Sequence, residues 1–580
     1  MNILKSRHIA LVAALAATVA AGAKDLKTEI TVDRTVVPVE REATRLGGIS
    51  PVLMQPQTDF RRLTLVEYGE PSELTSSITP LEPASYGDTI PVTPYRGYAS
   101  AGYFPAYNLG LSAGYRFINT SRTRLGAWMQ FDGESYKTKA EDVEGRERYS
   151  DNTATVGVRF DHHLNRAMQI SAVADFTYAG IKTPEFMLID DRSALMFGVK
   201  AGLWAKRPTF GYHASLGVNR FGFLKDVEAE TMYLDSPLKA TGETNFSVTA
   251  GIGYYGSSAT PRGGIEIAAD MVRRGDSYKP VWAAGTPFDF WEIKKYSAST
   301  IGVITMTPYY AFNAGRAHGR IGARIDLSTG GEGKKFHIAP AVMLDWNASS
   351  QFALYARAEG GEHLNTLRSL YNYCPYMNTL MQYERSHVPV NVEIGANIGM
   401  IAGFSAKLFG GYAVANDWLM PTMVEGSSDG IDCDAYTTYD LKAWHAGLTL
   451  AYDWRSIVSA EVTGEVAPQK ADKAYYLWRD RAKYVLTARL KVRPIDRLEI
   501  GADFELRAKR CFYGGENPFG DAGRVSLGDS RLLGVNATYG ITEALSVFAR
   551  GENLLGHRYQ LVPGIESAGV KGLVGVSYKF

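Results

Sequence analysis

Charged side chains at every second position are the feature of this 580-residue chain with the clearest chemical use. Between 497 and 509, Arg497, Glu499, Asp503, Glu505, Arg507 and Lys509 alternate with Leu498, Ile500, Ala502, Phe504, Leu506 and Ala508. Lys483, Thr487, Arg489 and Lys491 likewise oppose Tyr484, Leu486, Ala488 and Leu490, and Arg320, Arg324, Asp326 and Ser328 oppose Ile321, Ala323, Ile325 and Leu327. A β-strand turns successive side chains to opposite faces, so each segment carries one ionic and one apolar face. Ionic faces gathered around a common space would line a polar passage or hold a polar occupant. The plainer reading, which carries more weight, is that any wide aqueous interior is polar. A net charge of +1 argues against strong ion selectivity and against nucleic acid as a partner.

Aromatic clusters come second. Segment 275–296 holds Tyr278, Trp282, Phe288, Phe290 and Trp291; segment 363–387 holds Tyr371, Tyr373, Tyr376 and Tyr383 with Met377 and Met381. Such faces stack on sugar rings or meet apolar ligands and partners. Packing of the loops on themselves is the favoured alternative. Of three cysteines, Cys374 and Cys433 are the candidate pair for an inter-loop disulfide, leaving Cys511 unpaired. Asp429, Asp432 and Asp434 fit no calcium-loop spacing and read as a solvated acidic loop. His162 and His163 are adjacent on a strand and point apart, so they do not share a metal. No metal site or cofactor is expected. Neither G-x-S-x-G, H-E-x-x-H nor a Walker A sequence is present, and an enzyme is not expected.

The elements that would carry these residues are strands. From Arg96 onward, amphipathic segments of about 10 to 14 residues recur, the length a tilted membrane strand needs. Short connections such as Asn119–Arg122, Leu164–Arg166, Asn347–Ser350, Arg493–Asp496 and Ile541–Glu543 alternate with long ones. That asymmetry predicts an all-β fold: a large transmembrane antiparallel β-barrel of about twenty-two strands over 96–580, with tight periplasmic turns and long outer loops. Upstream, Lys5 and Arg7, an apolar core and Ala21-Gly22-Ala23 read as an export signal over 1–23, cleaved near Ala23. Residues 24–95 carry a third of the prolines and read as an extended periplasmic segment. Within it, Glu29, Ile30, Thr31 and Val32 form a short stretch able to add to a partner's sheet edge.

The C-terminus carries a family resemblance. Val574, Val576, Tyr578 and Phe580 share one strand face, and Tyr578-Lys579-Phe580 ends the chain on an aromatic residue. Together with Asn553-Leu554-Leu555 and Tyr559, this resembles the end of TonB-dependent receptors. The resemblance implies a location in the outer membrane of a Gram-negative-type bacterium, with outer-membrane lipid around the barrel. It implies transport of a solute, and Tyr578 and Phe580 as the signal for the barrel-assembly machinery. A TonB-like energy transducer, or a separate plug or lipoprotein, is the implied partner. Residues 24–95 are too short and too rich in proline for that family's plug domain, so the expectation is a relative without a plug. A non-transporting envelope platform is the alternative.

Overall fold

The computed structural model describes residues 95–580, apart from Ala106, 139–146, 184–190, 225–240, 256–261, 284–289, Glu332, Cys374, 376–383, 423–434, Ser456, Pro468, 472–481, 517–521 and 563–564. The export signal, the strand Glu29–Val32 and nearly all of segment 24–95 lie outside the described residues.

Alternation dictates the architecture. Each strand pairs antiparallel with its neighbours along the chain, and the last, Lys571–Lys579, returns to the first, Gly97–Phe104, with Tyr98 opposite Lys579 and Tyr103 opposite Val574. The sheet therefore has no free edge, which removes the unpaired backbone groups that lipid could not satisfy. Its pieces make twenty-two strands, because Gln469–Ala471 continues Val458–Val466 along the same neighbour. Gly97–Phe104 and Gly263–Arg274 are among the shorter of them.

One face of the sheet is apolar and open. Leu216, Tyr310, Ile338, Ile394 and Phe404 are each about 60% exposed, far more than an aqueous surface favours for such side chains. The other face carries the hydroxyl and ionic contacts, such as Thr155 with Thr177, Ser215 with Thr249 and Thr449 with Thr463. The inner turns are tight. Ala402 (φ 52°) and Gly403 (φ 91°) close the hairpin between Arg385–Ile401 and Phe404–Thr422, both in the left-handed region that matches strand twist.

Several outer connections are less loop-like than their sequences suggest. Segment 275–296 is largely a two-stranded ribbon, Ser277–Ala283 with Phe290–Tyr296, and Cys511–Glu516 pairs with Ala522–Ser526. The first outer connection, between Phe104 and Asn108, is a tight turn, an exception to the long-outer-loop pattern. Segment 363–387 contains the helix Leu367–Tyr373.

Candidate functional site

The helix Leu367–Tyr373 begins where the sequence supplies a cap. Thr366 Oγ1 accepts from the Ser369 amide at 3.1 Å, satisfying an amide that the first turn leaves without a partner. The helix then turns into the barrel. Tyr371 packs its ring against Phe221 (5.6 Å between centroids) and Phe223 (6.0 Å), both on the inner face of Phe210–Phe223. Arg368 reaches Asp175 (3.7 Å) and Asn219 (3.4 Å), and its amide donates to Glu243 at 3.4 Å. Leu367, Leu370 and Tyr371 are all buried. The helix thus reaches into the lumen and is pinned to strands several places around the ring.

Tyr371 is accordingly a packing residue inside the mouth and presents no open aromatic face. Of the other aromatic candidates, Trp282 lies opposite Trp291 in the ribbon, and Tyr278 lies on the same ribbon strand as Trp282. The side chains of these three, and of Tyr373 at the helix end, lie outside the described residues, as does Tyr376. The same holds for Cys374, Cys433 and the aspartates of 429–434.

The charged candidates on the strands fall on the ionic face but form separate arcs, and Lys483 precedes its strand. Arg320 pairs with Glu266 at 2.9 Å and stacks on the Tyr309 ring, 3.6 Å from its centroid. Glu499 accepts from Lys491 at 2.7 Å and from Arg493 at 2.8 Å; Glu505 and Arg507 pair at 2.8 Å. Arg489 meets Glu461 only at 3.9 Å with both groups largely in solvent, a pairing of little energetic weight. Asp503 faces Arg489 across the strand pair, and Lys483 lies beside the Tyr484 ring. Mixed charge around the wall neutralises itself, and these side chains do not converge on one site.

Arg324 and Asp326 belong to a tighter constellation near the outer mouth. Asp326 is fully buried. It accepts from Thr305 at 2.6 Å, from Arg324 Nε at 3.0 Å and from the Glu362 amide at 2.8 Å. Arg324 in turn donates to the Glu362 carbonyl at 2.8 Å. Glu362, 3% exposed, has His337 Nδ1 at 2.7 Å and His387 Nδ1 at 3.2 Å from the same oxygen, Oε1. Arg385 Nε lies 3.7 Å from its other oxygen. The two imidazoles stack with centroids 3.9 Å apart.

Spacing in the sequence gives no hint of this group, since His337, Glu362 and His387 come from three successive strands. Backbone irregularity assembles it. Strand Arg385–Ile401 carries one extra residue between His387 and Val390 relative to its neighbours, and Gly361 adopts φ 136°. Regular alternation would place Glu359 and Glu362 on opposite faces; here both end on the ionic face, Glu359 against Asn391 and Glu362 against the histidines. Bulges re-aim side chains in this way, and the Gly360-Gly361 pair and Pro389 are the marks it leaves in the sequence.

No family model matches the sequence, and no curated protein matches it. Solved structures do. A ferric enterobactin receptor of Pseudomonas aeruginosa is 12% identical and superposes with a TM-score of 0.60, over 84% of this chain and 80% of the receptor. The ferripyoverdine receptor of the outer membrane of Pseudomonas aeruginosa, bound to ferripyoverdine, is 12% identical with a TM-score of 0.58, over 84% of this chain and 72% of that one. At such identity the likeness is one of fold. The chain shares with these receptors the closed barrel fold, here of twenty-two strands, which is the fold expected of the TonB-dependent receptors that its C-terminus resembles.

Proposed function

We propose that the protein is an outer-membrane translocation barrel, built like a TonB-dependent receptor but without that family's plug domain. The observation that carries this reading is the helix Leu367–Tyr373 folded into the mouth of a barrel of this size. Twenty-two strands enclose more space than wall side chains can fill, so a receptor of this class needs further chain or a second protein to close it. The inward helix supplies part of that closure. Residues 24–95, or a separate periplasmic plug or lipoprotein, supply the rest. Glu29–Val32 is the strand offered to an energy transducer, and Tyr278, Trp282 and Trp291 on the outer ribbon are the aromatic contacts offered to the solute.

Planar-bilayer conductance tests this reading. The full chain should conduct little. A chain lacking residues 24–95 should open wider, and one that also lacks 366–373 wider still. If the doubly shortened barrel folds and stays closed to ions, translocation is ruled out and the protein is an envelope platform.

A further inference from the structure

We propose that His337, Glu362 and His387 form a binding site for a divalent first-row transition metal in the barrel wall near its outer mouth. The three donor atoms lie within 4.8 Å of one another, and each residue offers one. With metal–ligand bonds of about 2.0–2.1 Å, neighbouring ligands of a tetrahedral ion are about 3.3 Å apart. The two nitrogen–oxygen separations, 2.7 and 3.2 Å, are already close to that edge.

An ordinary hydrogen-bonded histidine pair does not account for the arrangement. Both Nδ1 atoms are buried, and neither makes a hydrogen bond of acceptable angle, although each touches the same carboxylate oxygen. Glu362 Oε1 therefore sits close to both nitrogens but off their bonding directions. A small cation placed among the three groups would satisfy all of them at once. The donor set is the one that suits such ions: imidazole nitrogen twice and a carboxylate once, with a position left for water or an incoming ligand.

The surroundings fit a positioned ligand set. Asp326 holds the Glu362 amide, while Arg324 holds both Asp326 and the Glu362 carbonyl. Arg385, anchored on the Gly330 carbonyl at 3.1 Å, faces Oε2 and leaves Oε1 to the ion. Such outer contacts fix ligand orientation. Bound metal would also tie the outer ends of Phe336–Asn347, Phe352–Leu364 and Arg385–Ile401 together, beside the root of the inward helix.

The test uses the full chain, purified in detergent without a histidine tag and titrated with Co²⁺ alone. Wild type should bind one ion per chain at micromolar concentration with visible absorption bands. H337Q and H387Q should abolish binding, and D326N should weaken it about tenfold. H445Q alters a histidine that pairs with Glu393 elsewhere on the wall and should bind as wild type does. Because a ligand variant can fail to fold, X-ray absorption of the zinc-loaded wild type provides a second readout: two imidazoles and a carboxylate are expected. Absence of stoichiometric binding by folded wild type, unchanged binding in both histidine variants, or a shell without imidazole would each overturn the site. The readout is metal binding in detergent, so it succeeds or fails independently of whether the barrel conducts.

Discussion

Lys571 Nζ lies 2.8 Å from Glu134 Oε2 and 3.2 Å from Glu552 Oε2, tying the last strand to the third above the short first hairpin. Gly97–Phe104 is only eight residues long, whereas Thr123–Thr138 has sixteen, so the closing seam is low where its neighbours are tall. Lys571 spans that notch, and Arg558 donates to the Lys137 carbonyl beside it. Lys571→Met leaves two carboxylates facing each other without their shared cation. The expected cost is about 2 kcal/mol, since removing one member of a partly buried ionic group strands the rest. Urea unfolding in lipid vesicles measures it. Adding Glu134→Gln to Lys571→Met should recover most of the loss, because Glu552 keeps Arg550 at 2.7 Å.

At the opposite end of the seam, Phe580 pairs with the first strand. Phe580 O accepts from the amides of Arg96 and Gly97, both at 2.8 Å, and its amide donates to Gly97 O. Its ring covers Gly97 so closely that an added Cβ would lie 2.4 Å from Phe580 Cε2. Gly97→Ala should therefore reduce the yield of folded, heat-modifiable barrel, and Phe580→Ala should reduce it for want of the cover. The double variant should fold better than Gly97→Ala alone, because the closest clash is gone and only Tyr115 Cδ2, 2.9 Å from the added Cβ, is left to shift. An additive loss would mean that the ring does not pack on Gly97 in the membrane.

Much of this fold is written in strict alternation. Runs such as Leu498-to-Ala508 declare two faces, and the turn at Ile541–Glu543 declares its own reversal, where Thr542 Oγ1 accepts from the Leu545 amide at 2.9 Å. Ring closure follows from an even count and an amphipathic last strand. Two kinds of information are not carried by periodicity. Tyr371 looks like a loop aromatic, and only the path of the chain across the mouth makes Phe221 and Phe223 its neighbours. His337, Glu362 and His387 converge because a bulge breaks the alternation that sequence reading relies on. Glu362 follows Glu359 by three residues, which regular pleating assigns to the opposite face.

The inward helix should be separable from the barrel. Tyr371 provides its largest packed surface, and truncating a buried aromatic residue costs about 3 kcal/mol. A seven-residue helix has little stability of its own to set against that loss. Tyr371→Ala should release the segment, seen as new protease cleavage within 366–373, while the barrel unfolds at the wild-type urea concentration. Conductance should rise in the same variant. Arg368→Ala removes only partly exposed contacts and should produce a smaller change in both.

Gly361 links the wall to the cluster beside it. Its φ of 136° is one that side chains avoid, and a Cβ there would lie 2.3 Å from Arg324 Nε. Gly361→Ala must therefore push back the guanidinium that holds Asp326 and the Glu362 carbonyl, or relax the backbone and swing Glu362 away. Strain of this kind costs about 1–3 kcal/mol, a loss visible in urea unfolding. The barrel should still close, because the pairings of Tyr355 with Gly395 and Arg357 with Glu393 lie below the irregularity. Arg324→Ala removes the obstructing side chain, so adding Gly361→Ala to it should cost less than in wild type. If Gly361→Ala costs the same in both backgrounds, the penalty lies in φ alone and the contact with Arg324 does not shape the bulge.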